Sequence, residues 1–355
     1  MNGKRTIYLF ISFTGSITIV LVLVALSRDM TRRPGSFLRQ FPPHPALEAG
    51  VIGLEFSDYY LAGSTSRHAY LANYSAPLHL IVVDALTLDT SHVQLKIKGI
   101  EDQTFWSARV KVDSPYFYLF DGAVPRIYSG KVKDWQAKRL SNDNAYFLDF
   151  EPLSTSSFAI RALGRPLREN ILGKLSTNES HVLMKADILK KQVDGIFCTD
   201  GTMHFDKHKR KLVYLYLYRN EYIVMDSNLV VLNLANTIDT TTHADIKVAM
   251  LNSTGEIKFA TPQRVVNRSS FISDGLLFVN SLLTAKNENP KATDHSTVID
   301  VYNLVESTYR FSFYVYDYQN KERMNHFQVS GNRLYTMHDH HLQIWNLESS
   351  FFEND

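Results

Sequence analysis

Beyond residue 50 the apolar residues come in runs of five to nine, rich in Val, Ile, Leu, Tyr and Phe, and each run is closed by Gly, Asn, Asp, Pro or Ser. Runs of that length with almost no 3.6-residue periodicity predict strands rather than helices. Strands are expected at 69–72, 78–83, 93–97, 117–120, 145–150, 158–162, 212–218, 222–226, 230–234, 246–250, 276–279, 297–302, 311–316, 333–337 and 341–345, and only 182–191 reads as a short helix. The class is therefore all-β.

Grouping the strands reveals a repeat in which a polar turn, a strand ending in a Gly or Asn/Asp turn, and a second strand recur together. Six copies are marked by leading strands at Tyr70, Phe117, Phe158, Leu212, Leu277 and Leu334, spaced 47, 41, 54, 65 and 57 residues apart. Such spacings suit the four-stranded blades of a β-propeller. The run from Leu212 to Tyr218 is apolar on both faces. A strand packed between two neighbouring blades needs that composition, whereas a sandwich strand with one wet face alternates. At about 44 residues per blade the body accommodates close to seven blades, with six the alternative. A strand within 51–60 is expected to close the ring against the last blade.

The N-terminus follows a different pattern. Residues 7–26, IYLFISFTGSITIVLVLVAL, form the one strongly apolar stretch, with Lys4 and Arg5 before it and Arg28, Arg32 and Arg33 after it. Twenty residues at 1.5 Å each match a hydrocarbon core of about 30 Å. Residues 1–27 are therefore read as an uncleaved signal-anchor and transmembrane segment. A cleaved signal is the alternative, because Ala25 and Ser27 offer a small-residue cleavage site. Residues 28–50 are basic and then rich in proline, with Pro42, Pro43 and Pro45, and read as a semi-rigid linker from the bilayer to a propeller domain at 51–355. The expected topology is single-pass, N-terminus cytoplasmic and C-terminal domain extracytoplasmic, in the periplasm.

Charge narrows the function classes. The chain has 38 Lys+Arg against 36 Asp+Glu, and the basic excess lies in the first 50 residues. The remaining body is slightly acidic, which argues against a nucleic-acid partner. One cysteine, Cys198, excludes an intramolecular disulfide framework and a Cys-rich metal site.

The densest candidate site is His338-Asp339-His340-His341, in the turn between two strands, where His338, His340 and His341 are candidate metal ligands. Because adjacent residues alternate in direction on a strand, at most two of these imidazoles can share an ion, and a plain polar hairpin tip is the competing reading. Arg161, Arg165 and Arg168, around Gly164 and Pro166, are candidate ligands for a carboxylate or phosphate. Cys198 and His204 would form a nucleophile and base only if the Asp200-Gly201 turn folded them together. Tyr214, Tyr216 and Tyr218 share one face of a strand, either as an exposed platform or as core. No nucleophile elbow, phosphate loop, dinucleotide fingerprint or zinc-protease motif is present, so the catalytic residues and any cofactor stay unassigned.

The run LVYLYLYRNEYIVMDSNL, at 212–229, together with the blade pattern, is similar to uncharacterised bacterial membrane-anchored, extracytoplasmic β-propeller-like proteins. The resemblance implies a propeller over 50–347 and carries no catalytic signature. The leading expectation is a membrane-anchored binding or scaffolding module for a protein or ligand, held by its N-terminal helix and meeting a protein partner. An exported propeller enzyme with a metal or redox cofactor in the central funnel is the alternative.

Overall fold

The computed structural model describes residues 2–31, 35–99, 105–140, 145–166, 168–179, 182–250 and 257–353. Six sheets stand around a common axis, and each is an antiparallel meander of four strands. Blade one comprises Tyr59–Ser64, His68–Asn73, His79–Asp84 and Thr90–Gln94. Blade two comprises Arg109–Asp113, Tyr116–Asp121, Arg126–Lys131 and Gln136–Arg139, with Lys96–Ile97 added in parallel on its outer edge. Blade three is built from Asp149–Pro152, Ser157–Gly164, Glu169–Ser176 and Leu183–Lys185, and blade four from Gly201–Asp206, Lys211–Tyr216, Glu221–Met225 and Val231–Asn236. Blade five holds Asn267–Ser273, Leu276–Ser281, Ser296–Asn303 and Thr308–Tyr316. Blade six combines His326–Ser330, Arg333–Met337 and His341–Leu347 with Ala46–Gly53.

The architecture is thus a six-bladed propeller, not the seven-bladed one that chain length suggests. The excess length lies between blades. Residues 186–200 bridge blades three and four, and the connection from blade four to blade five contains a separate two-stranded hairpin, Val248–Met250 with Ile257–Phe259. The segment 182–191 is not a helix; it holds the short fourth strand of blade three followed by bends.

The two-faced strands explain the core. In Lys211–Tyr216, the side chains of Leu212, Tyr214 and Tyr216 pack toward blade three with Ala159 and Leu172, whereas Val213 and Leu215 pack toward blade five with Leu277 and Val279. Comparable apolar clusters fill the other inter-blade layers. At about 25 cal/mol per Å² of buried apolar area, this layered packing is the main source of stability. The first strands approach closely around the axis: a Cβ added to Gly63 would stand 2.0 Å from the Val112 carbonyl oxygen of the next blade.

The ring closes as expected, with N-terminal residues supplying the outermost strand of the last blade. Ala46 pairs with Leu347 and Gly53 with His341. The closing strand begins five residues earlier than 51, inside the segment read as linker. Gly35–Phe41 is likewise docked, not free. The Gly35 amide donates to Thr284 O at 2.7 Å, the Lys286 amide donates to Phe37 O at 2.9 Å, and Phe41 stacks on Tyr314 with ring centres 4.6 Å apart. Arg39 is buried, its Nε 2.7 Å from Asp300 Oδ1 and its Nη1 paired with Glu288. Its two carboxylate partners hold the guanidinium above its ordinary pKa although burial works against them.

The N-terminal helix spans Asn2–Thr31. Its described side chains at 10–23 are all exposed. Among the described residues no helix is long and apolar enough to cross a membrane.

Candidate functional site

In each blade the first strand runs along the axis, and in blades two, three, four and six it alternates polar and apolar residues where the second does not. Arg109-Val110-Lys111-Val112-Asp113 has its valines buried and its charged residues partly exposed, and Asp149-Phe150-Glu151 and Thr202-Met203-His204 follow the same period. The apolar side chains of these strands enter the inter-blade layers, which turns the intervening polar ones toward the axis. The result is a cavity of about 470 Å³ lined by all six first strands and by the turns that follow them, so that it opens on the face where first and second strands join.

Lys111, Glu151, His204 and Gln328 form the polar wall of this cavity. Lys111 Nζ pairs with Glu151 Oε2, and Glu151 Oε1 accepts the Phe205 amide at 3.2 Å. Burial pushes the Glu151 carboxyl up to about 7, against the opposing pull of Lys111. Burial, and then the charge of Lys111, depress the His204 imidazole to about 3, while its hydrogen bond to the Ser270 carbonyl works the other way. Its ring centre lies 5.3 Å from that of Phe271. Gln328 Nε2 donates to Leu61 O at 3.0 Å, while its Oε1 is buried without a hydrogen-bond partner. At the rim Lys207 pairs with Asp113, and Asp206 Oδ2 accepts the Gly275 amide at 2.6 Å. A neutral imidazole, an ammonium, a carboxyl that titrates near neutrality and an unmatched amide oxygen suit a small polar ligand that brings both donors and acceptors.

The residues singled out from sequence lie elsewhere. His338 is buried, with Nδ1 2.7 Å from the Glu322 carbonyl and Nε2 3.2 Å from Thr336 Oγ1. His341 turns the other way, to Glu322 Oε2 at 2.8 Å and onto the Tyr318 ring, while His340 is exposed. The motif is therefore half core and half surface, not a uniformly polar tip. Among the described residues no three His, Cys, Asp or Glu side chains are grouped as a metal ion requires. Arg161 is mostly buried, with Nη1 2.7 Å from Asp200 Oδ1, and sits opposite Asp149 in the sheet register. Arg165 and Arg168 are exposed in the turn beyond it, so the three do not converge. Cys198 is buried with Sγ 2.6 Å from the Asp194 carbonyl, in a cluster with Tyr218, Ala244 and Ile246, whereas His204 lines the channel. Tyr214 and Tyr216 are core, as the packing reading held.

Lys111, Glu151 and Gln328 were missed. The signal for them is the period-two alternation in the short strand that precedes each doubly apolar one.

No family model and no curated protein matches the chain. Among solved structures it is similar to a member of the DUF4221 family from Bacteroides vulgatus, at 13% identity over 89% of this chain and 99% of that one, with a TM-score of 0.54. It is also similar to BamB from Moraxella catarrhalis, at 12% identity over 85% and 99% of the two chains and a TM-score of 0.41. A chain of the mitotic checkpoint complex matches at 13% identity, over 88% and 99%, with a TM-score of 0.47. At these identities the first likeness speaks for the fold alone.

Proposed function

We propose that the protein is a membrane-anchored, extracytoplasmic binding module whose axial channel holds a small polar ligand or the tip of a polar peptide. The observation that carries the reading is the Lys111–Glu151 pair, its carboxylate buried and its ammonium partly exposed, beside neutral His204 and the unmatched Gln328 amide oxygen. Drawing an ion pair out of water costs desolvation that its attraction often fails to exceed, so stability alone is a poor reason to keep one on the axis of a ring. Support for the anchor comes from the twenty-residue apolar stretch at 7–26 and its basic flanks.

The test is thermal unfolding of the full chain in detergent against a panel of amino acids, dipeptides and monosaccharides. At least one compound should raise Tm in the parent protein and lose that effect in Lys111→Met. A panel without any shift, or a shift that persists in both Lys111→Met and Gln328→Ala, overturns the channel reading. The anchor is tested separately, by retention in membranes washed at alkaline pH.

A further inference from the structure

The meander fixes which turns share an end of the propeller. Turns from first to second strand emerge on the face where the channel cavity opens; turns from second to third strand, and the connections between blades, emerge on the opposite face. That opposite face is unusually apolar. Trp106 is 80% exposed, Tyr146 66% and Leu148 56%, beside a cleft of about 310 Å³, and Phe56, Leu282 and Tyr316 are exposed at the same end. Scattered surface apolar residues are ordinary, but a set gathered on one end of a molecule marks a contact surface.

The same end carries exposed positive charge, although Arg109 stands over the Tyr74 ring, 5.3 Å from its centre. Arg109 and Arg268 lie at the starts of the first strands of blades two and five, and Arg165 and Arg168 flank the second-to-third turn of blade three. All four are exposed, and among the described residues none is paired with a carboxylate. Arg268 is the extra residue of a bulge between Asn267 and Ser269, the kind of irregularity that redirects a side chain. Of the acids at this end, Asp149 and Asp200 face Arg161 and Glu169 pairs with Lys191, while Glu55, Asp187 and Asp245 are exposed among the basic residues.

The point where the chain arrives completes the picture. The helix ends at Thr31, and Gly35 is already hydrogen-bonded to Thr284, in the second-to-third connection of blade five on this same end. Four residue steps reach at most roughly 14 Å. The proline-rich stretch follows that docking point and so adds nothing to the tether.

We infer that this end of the propeller lies against the bilayer, with Trp106 and its apolar neighbours in the interface, the exposed arginines on anionic head groups, and the channel opening turned away. The inference rests on the anchor reading above. Tryptophan and tyrosine favour the level of the head groups, and basic side chains are attracted to an anionic surface. A protein partner for the same face is the alternative occupant, but it would not require the tether to end there.

The test reconstitutes the full chain into phosphatidylcholine/phosphatidylglycerol vesicles containing a lipid spin-labelled near the head group. Tryptophan fluorescence should be quenched, and the quenching should disappear in Trp106→Phe, since Trp345 is buried and Trp135 is partly buried. The double variant Arg165→Glu, Arg168→Glu should weaken the quenching about twofold or more. A chain that floats with the vesicles while Trp106 stays unquenched overturns the orientation alone. A chain that does not float overturns this inference together with the anchor.

Discussion

Burial acts on Glu151 and His204 in the same sense, disfavouring the charged form of each: it raises the carboxyl and lowers the imidazole. In the folded protein Glu151 titrates near 7 against an ordinary 4.5, so between those values the folded chain binds more protons than the unfolded one. Its contribution is complete below 4.5 and is lost as pH rises toward 7, by at most about 1.4 kcal/mol per pH unit. His204, near 3 against 6.5, runs the other way: its contribution is complete above 6.5 and is lost as pH falls toward 3. Between 4.5 and 6.5 the slopes oppose, and urea unfolding should give a nearly flat stability profile. Glu151→Gln should leave the His204 slope, with stability falling on acidification below 6.5. His204→Gln should leave the Glu151 slope, with stability falling as pH rises from 4.5 to 7. Profiles unchanged in both variants would rule out the buried titrations. Glu151 and Lys111 were legible in principle, because alternating strands precede the apolar ones, but a charged residue between apolar neighbours reads equally well as a solvent-facing position until the blades are assembled.

Among the elements, the hairpin at 333–347 departs most from its sequence reading. The cluster of three histidines read either as a metal site for at most two of them or as a polar hairpin tip, yet His338 is buried beside Thr336, whose Oγ1 accepts from Trp345 Nε1 at 3.0 Å. His338→Ala should therefore cost about 2–3 kcal/mol through a cavity and two lost hydrogen bonds, whereas His340→Ala should stay within about 0.5 kcal/mol. Thermal unfolding of the two single variants checks this; equal, small effects would contradict the buried network. The segment before the first blade departs for another reason. Proline content and basic charge gave 28–50 the look of a spacer, but composition does not register a partner. Arg39 is held by Asp300 and Glu288, which lie some 250 residues away in the chain and become its neighbours only once blade five forms.

For the whole molecule, the repeat was more informative than the length. The six marked units from Tyr70 to Leu334 are the second strands of the six blades, whereas dividing the chain by an average blade counted the connections as if they were a seventh. Connection length follows no packing rule that a periodicity can detect, so the count had to come from the units. Ring closure by Ala46–Gly53 makes a direct prediction. A chain lacking residues 1–31 should retain one cooperative unfolding transition, and a chain lacking residues 1–53 should lose it, as followed by circular dichroism in urea. Cooperative unfolding of the shorter chain would mean that the last blade stands on three strands. That closure also sets a schedule for biosynthesis. The pairing of Ala46 with Leu347 joins residues about 300 positions apart, a loop whose closure costs on the order of 5 kcal/mol of chain entropy. The strand made nearly first must wait for the strand made last, and until then a row of backbone donors and acceptors lies open on blade six. A premature stop that removed only the last dozen residues would leave five blades intact in sequence and still release a product with an unpaired edge, a substrate for proteases and for aggregation rather than a slightly shorter propeller.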